Sequence, residues 1–179
     1  VFVLVAVVLN ICISTFLAVL IKSLRKKGAR SFFRGWMFLP AVVPIVAVCY
    51  VWLIMFDPAN GVLNQALMAL GMDHPINWLN DPRTALFSIV LVTLWCDLGY
   101  NLVILMSGLD NIPNMFLEAA EIDGANSIQK FFKITLPLMS RNMLFVVIMT
   151  CISYFQVFAQ VQIMTQGGPE NHTNVIGLN

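Results

Sequence analysis

The chain has 179 residues, of which 59% are hydrophobic. Only 11% are charged, less than half the roughly 25% of an average soluble domain, which speaks against a single water-soluble domain. A formal net charge of +1 leaves no cationic excess with which to hold nucleic acid.

Charge is missing from long stretches. Residues 1–21, 35–56 and 142–169 carry no Asp, Glu, Lys or Arg, and residues 84–109 carry only Asp97. A helix rising about 1.5 Å per residue crosses a hydrocarbon core in roughly 20 residues, the length of each run. The sequence therefore predicts an all-α chain, a polytopic bundle of four transmembrane helices near residues 1–21, 36–56, 86–109 and 143–164. Barrel strands are excluded because the runs are continuously apolar and do not alternate at period two.

The connections fix the orientation. The first holds Lys22, Arg25, Lys26, Lys27, Arg30 and Arg34, and the third holds Lys130, Lys133 and Arg141, together nine of the ten basic residues. The second, residues 57–83, has one. Basic short loops stay in the cytoplasm, so the first and third connections are predicted inside, and the second and the tail around Gly168 outside. The cluster at 22–34 has a competing reading as a patch for lipid or nucleic acid, of which anionic-lipid contact fits alongside the topology. Val1 opens inside an apolar run and Asn179 stops in a loop, so residues 1–179 read as one membrane domain and as a fragment of a larger one. A secretory signal is a poor reading of residues 1–21, because its basic cluster follows the apolar run.

Cys12, Cys49, Cys96 and Cys151 fall one per predicted span and read as small packing residues. His74 and His172 sit in predicted outside loops without neighbouring ligands and read as solvated. No GxxxxGK[ST], HExxH or GxSxG motif is present, and Asn171-His172-Thr173 is short enough to match an N-x-T acceptor by chance.

The third connection, residues 110–142, is long and patterned. Residues 117–122 are good helix formers, Gly124 supplies a tight corner, and residues 127–135 restart a helix that Pro137 limits. Ile128, Phe131, Phe132, Thr135 and Leu136 recur at helical spacing and give that second helix an apolar face. A face of this kind needs burial, and an amphipathic loop lying on the lipid surface is the plain alternative, opposed by its acidic first half.

Glu118-Ala119-Ala120, then Gly124, then Ile134-x-Leu136-Pro137 resembles the EAA loop of the membrane subunits of binding-protein-dependent ABC importers, with each fixed position met. The resemblance implies a type I ABC importer permease fold that lacks terminal spans here, one early and one final. It implies that the loop docks on a separate ATPase subunit and transmits its closure to the membrane helices. Glu118, Ala119, Ala120, Asp123, Gly124, Ile134, Leu136 and Pro137 would carry that coupling. Ala119 and Ala120 would permit close approach, and Glu118 and Asp123 would pair with basic groups of the partner. Glu121, Lys130 and Lys133 are expected to stay solvated. The implied subunit is no enzyme and binds no cofactor, ATP and Mg being held by the partner. Its other implied partners are a second permease, generally a different chain, an extracytoplasmic solute-binding protein and membrane lipid. The implied location is the bacterial or archaeal cytoplasmic membrane.

Further segments are similar to the carbohydrate branch of that family: Phe33-Arg34-x5-Pro40, Gly61-x2-Asn64, Trp78-Leu79-x-Asp81-Pro82-x2-Ala85, Gly108-Leu109-x2-Ile112-Pro113 and Thr165-x-Gly167-Gly168-Pro169-x3-Thr173. Ala159 departs, since many relatives carry Asp after Phe there. The branch implies uptake of a sugar or sugar phosphate, such as an oligosaccharide or glycerol 3-phosphate. An ABC permease for another solute is the nearest alternative. A membrane-embedded enzyme would need clustered catalytic groups where only Asp97 is present, and an ion-coupled carrier or channel has no need of a docking loop.

An ionised Asp at a helix centre costs about 2.5–3.5 kcal/mol on insertion scales, so Asp97 should face protein or water. Asn101 follows four residues on, and Ser153, Gln156 and Gln160 form a second polar stripe at spacings of three and four. With Tyr100, and flanked by Trp95, Tyr154 and Phe155, the stripes suit a path for a hydroxylated solute. The competing reading is hydrogen bonding between helices, and the sequence leaves both open.

Overall fold

The computed structural model describes residues 2–24, 26–166 and 168, and among them there is helix and turn but no strand. Helices α1 (Phe2–Ser23) and α5 (Ala85–Asp110) match the first and third predicted spans to within two residues at each end. Both are long and apolar enough to cross a membrane unaided.

The second and fourth predicted spans are broken. Helix α2 (Lys27–Val42) begins nine residues earlier than predicted and meets α3 (Ile45–Met55) at a 97° bend. The cause lies in the sequence: Pro44 has no N–H to continue the ladder, and Val43, ahead of it, is extended at φ −77°, ψ 135°. In the fourth region, α9 (Ser140–Phe155) stops at Gln156 and α10 (Ala159–Met164) resumes after Phe158. No proline or glycine marks that break.

Between these elements lie α4 (Val62–Ala69) in the second connection, and α6 (Asn114–Ile122), α7 (Ser127–Lys130) and α8 (Leu136–Leu138) in the third. A π-turn at Phe131–Thr135 joins α7 to α8, with the Leu136 N–H bonded five residues back to Phe131 O. It stands just before Pro137, which has no N–H to bond four residues back. Pro137 does not end this helix as expected. The helix runs on to Leu138, turns at the buried Met139, and enters α9 at 72°.

Helix α5 is the hub, packed by α1 and α2 and, less extensively, by α9, α10 and α3. One apolar core, with Ile21, Leu102, Leu105, Met106, Leu109 and Val146, lies toward the end of α5 that leads into the third connection. At the opposite end, Ala6, Val7, Ile89 and Val90 close on Val157 and Val161. A third core joins Trp52, Phe56, Val92 and Cys96, with Cys49 inside it. Cys49 and Cys96 are buried packing residues as expected, whereas Cys12 is exposed.

The ends of α1 and α5 are tied by charge. Lys22 Nζ donates to Leu109 O and pairs with Asp110 at 3.7 Å, while Arg30 Nη2 donates to Lys22 O at 2.6 Å. Cations thus sit on the carbonyl ends of both helices, where the helix dipole favours them. α1 and α5 therefore end at the same face, the one the basic loops assign to the cytoplasm.

On the other side, Asn64 organises the second connection. Its Nδ2 donates to Ile76 O at 2.9 Å, and its Oδ1 accepts from Trp78 Nε1 at 2.9 Å and Ile76 N at 3.2 Å. Ser88 Oγ then ties Trp78 O to α5 at 2.9 Å. Asn64→Ala strands these groups around a site that is 2% exposed at Asn64, costing about 1–3 kcal/mol for each group left unsatisfied. Protease added to the outer face of spheroplasts is expected to cut the 57–84 segment of this variant at least tenfold faster. Equal cleavage of variant and unaltered protein would show that Asn64 is not the clamp.

Candidate functional site

The polar residues singled out in the third and fourth spans meet in one place. Asp97, Tyr100 and Asn101 from α5, Ser153 from α9, Gln156 and Val157 from the break, and Gln160 from α10 line a cavity of about 580 Å³. The interruption after Phe155 lets Ser153, Gln156 and Gln160 face the same space from two helices and the link between them. Phe38, Pro40 and Ala41 of α2, with Val43 and Ile45 around the Pro44 bend, form the facing wall. Both helix breaks therefore border the cavity, the usual place for irregular backbone at membrane depth.

Asn101 has a second role. It is 3% exposed, and its Nδ2 donates to Asn10 Oδ1 at 2.7 Å and Thr150 Oγ1 at 2.9 Å. Asn10 Nδ2 in turn donates to Tyr154 Oη at 2.7 Å. This four-residue network ties α1, α5 and α9 behind the cavity wall, so the inter-helix reading holds for Asn101. Hydrogen bonds between membrane helices average about 0.6 kcal/mol, and their value here is chiefly to fix rotation. Asp97, Ser153, Gln156 and Gln160 make no side-chain hydrogen bond among the described residues and present their polar groups to the cavity.

The aromatic flank differs from expectation. Tyr154 is 1% exposed and belongs to the core and the network. Trp95 packs edge-on against Trp52 at 5.7 Å, and neither it nor Phe155 lines the cavity. Phe38 and Tyr100 supply the aromatic surface there. Asn10 and Thr150 were missed by the sequence reading, although Asn10 is the lone carboxamide in the first apolar run and Thr150 stands three residues before Ser153.

The third connection has the expected form of helix, corner and helix. At the end of α6, Ala125 N donates to Ala120 O at 2.9 Å, and Gly124 takes a left-handed φ of 78°. That is a glycine C-cap of Schellman type. The next helix opens with a reciprocal capping box, Gln129 N to Asn126 Oδ1 at 2.8 Å and Asn126 N to Gln129 Oε1 at 2.9 Å. The two caps stiffen the corner from both sides.

The eight residues assigned to coupling divide by direction. Glu118 and Ala119 are exposed on α6, and Asp123, Gly124 and Ile134 share a hollow of about 320 Å³ with Gln129 and Lys133. Pro137 is exposed. Ala120 points inward at 8% exposure, so it packs within its own chain, contrary to the expectation that it is presented to a partner. Leu136 lines an apolar groove of about 490 Å³ against Ile11, Phe16, Phe131 and Phe132. Ile128 and Phe132 remain 69% and 60% exposed, so the chain's own helices leave the expected apolar face largely uncovered. Lys130 is not solvated as expected: its side chain is 22% exposed and pairs with Glu121 at 3.6 Å. His172, Gly167, Pro169 and the N-x-T site lie outside the described residues.

Comparison with known proteins agrees with this architecture. The probable ABC transporter permease protein YesP of Bacillus subtilis is 36% identical over 99% of this chain and 57% of its own length. The trehalose/maltose transport system permease protein MalF of Thermococcus litoralis is 35% identical over 89% of this chain and 53% of its own. The sn-glycerol-3-phosphate transport system permease protein UgpA of Escherichia coli is 32% identical over 93% and 56%. The chain thus spans about half the length of the curated relatives it matches. The fold is that of a chain in the crystal structure of a bacterial alginate ABC transporter in complex with an alginate pentasaccharide-bound periplasmic protein. The TM-score is 0.87 at 21% identity, covering 98% of this chain and 61% of that one. Residues 10–177 match the family described as the binding-protein-dependent transport system inner membrane component, and the chain, a multi-pass membrane protein, belongs to that family.

Proposed function

We propose that the chain is the translocating part of a permease subunit in an ATP-driven importer of a sugar or sugar phosphate. The cavity is part of the solute path, and the Glu118 to Pro137 element is the contact with a separate ATPase. The observation that carries the reading is the meeting of Asp97, Tyr100, Asn101, Ser153, Gln156 and Gln160 in one cavity bordered by two helix breaks. Relatives named for disaccharide and glycerol-phosphate transport support the solute class.

In this reading the subunit lies in the inner membrane and pairs with a second permease, of a different chain. A solute-binding protein delivers the sugar from outside. ATP and Mg stay on the ATPase, and the permease supplies no catalytic group. Closure of the ATPase pushes on α6 and the following helix. The push shifts the population between outward- and inward-open states, as an effector does when it binds one state better than the other.

The test is transport in vesicles holding the full-length subunit, its partner permease and its ATPase. Labelled sugar is expected to accumulate only with ATP and loaded binding protein. Accumulation without ATP would leave the coupling element without a function and overturn the reading.

A further inference from the structure

We propose that Asp97 makes the cavity selective for uncharged, hydroxyl-rich solutes and against those bearing phosphate or carboxylate. The inference rests on the reading of this cavity as the solute path, and it narrows the solute class. Family membership does not make the choice, because relatives are named for trehalose and maltose and for glycerol 3-phosphate alike.

Among the described residues, Asp97 is the one formally charged side chain in the lining, which holds no Lys, Arg or His. Nor does its carboxylate have an ion pair or hydrogen bond there, unlike Asp110, which is paired with Lys22. A phosphate or carboxylate entering this space meets a like charge and no cation among this chain's described residues. A sugar meets complementary groups. Its hydroxyls donate to the Asp97 carboxylate and to the amide oxygens of Gln156 and Gln160, and the amide N–H groups serve its ring oxygen and acceptors. The rings of Tyr100 and Phe38 offer flat apolar surface to a sugar face. A volume of about 580 Å³ lies within the usual range for a small-ligand site.

Like charges several ångströms apart in a partly desolvated site repel enough to change rates by roughly tenfold or more. The experiment reads the potential of the cavity directly. The full-length permease, assembled with its partner subunits and with native cysteines replaced by alanine, receives Ser153→Cys or, separately, Gln160→Cys. Each is treated with a cationic trimethylammonium-ethyl and an anionic sulfonato-ethyl methanethiosulfonate, and each rate is divided by that of a free thiol. The cation-to-anion ratio is expected to be roughly tenfold or more with Asp97 present and to fall close to one with Asp97→Asn. A ratio near one with Asp97 present, or one that Asp97→Asn does not change, overturns the proposal while leaving the solute path intact. No reaction with either reagent at either position means the cavity is closed to water, which removes the solute path and the proposal with it. A second measurement needs no variant: accumulation of glycerol 3-phosphate or an oligouronate by the unaltered transporter overturns the proposal.

Discussion

Gly124→Asp in the full-length subunit is expected to abolish uptake while the protein still inserts at normal abundance. The corner glycine has φ 78°, and a Cβ built on it meets nothing within 4 Å. The cost to the fold is therefore the left-handed conformation alone, about 1 kcal/mol for an L-residue and less for Asp, which tolerates that region. So small a penalty does not unfold the subunit. The added carboxylate stands at the corner that borders the hollow shared with Ile134 and Lys133, on the face assigned to the ATPase. Glu118→Lys tests the same face by charge, because Glu118 is exposed and has no ion pair or hydrogen bond within the described residues, whereas Glu121 is engaged by Lys130. Reversing one member of a docked charge pair costs roughly 2–5 kcal/mol, a loss of 30-fold or more in coupling. Sugar uptake and binding-protein-stimulated ATP hydrolysis should fall together in both variants, with basal ATPase activity retained. Normal uptake in both would sink the assignment of this element to coupling.

How much of this was legible depends on which physical term decides each segment. α1 and α5 read off cleanly because length and apolarity settle a straight span, and nothing in them interrupts the ladder. Apolar length alone predicts the second span as continuous, although Pro40 and Pro44 stand in it. Pro40 is carried inside α2, whereas Pro44 breaks the helix, and only packing separates the two outcomes. The break at Gln156 has no such marker, since the link residues Val157 and Phe158 are ordinary helix-compatible side chains.

The helix, corner and helix of the third connection were legible in outline because their information is local. Gly124 needs a left-handed φ, and Asn126 and Gln129 form a box three residues apart. Directions were less legible. Ala119 and Ala120 are adjacent and identical, yet one is exposed and the other buried, because the chain covers only one side of α6. In the cavity, spacing grouped Asp97 with Asn101 and Ser153 with Gln156 and Gln160, but sequence has no means of showing that two stripes on different helices face each other. It also left open that Asn101 is held by Asn10, 91 positions away.

The second large effect is expected at Gly99, where α5 touches the backbone of α2. A Cβ there would stand 2.7 Å from the Met37 carbonyl carbon and 2.8 Å from Phe38 Cα, closer than real Cβ atoms come. Backbone atoms do not swing aside as a side-chain end does, so Gly99→Ala must part the two helices. Small residues serve this purpose in membrane bundles, where close packing replaces the hydrophobic drive available in water. Overpacking of this kind costs about 1–3 kcal/mol, and Gly99→Leu considerably more. At 2–4 °C per kcal/mol for a chain of this size, Gly99→Ala should lower the melting temperature in detergent by roughly 2–12 °C. Gly35→Ala is the control, because nothing lies within 4 Å of its Cβ and alanine is the better helix former, by about 1 kcal/mol. Phe38 sits on α2 beside this contact, and Asp97 and Tyr100 flank Gly99 on α5, so parting the helices also moves one wall of the cavity from the other. Uptake should therefore fall in Gly99→Ala even at temperatures where the protein stays folded. Gly99→Ala melting and transporting like Gly35→Ala would show that the two helices are not in backbone contact, and that the facing wall of the cavity is not set by this glycine.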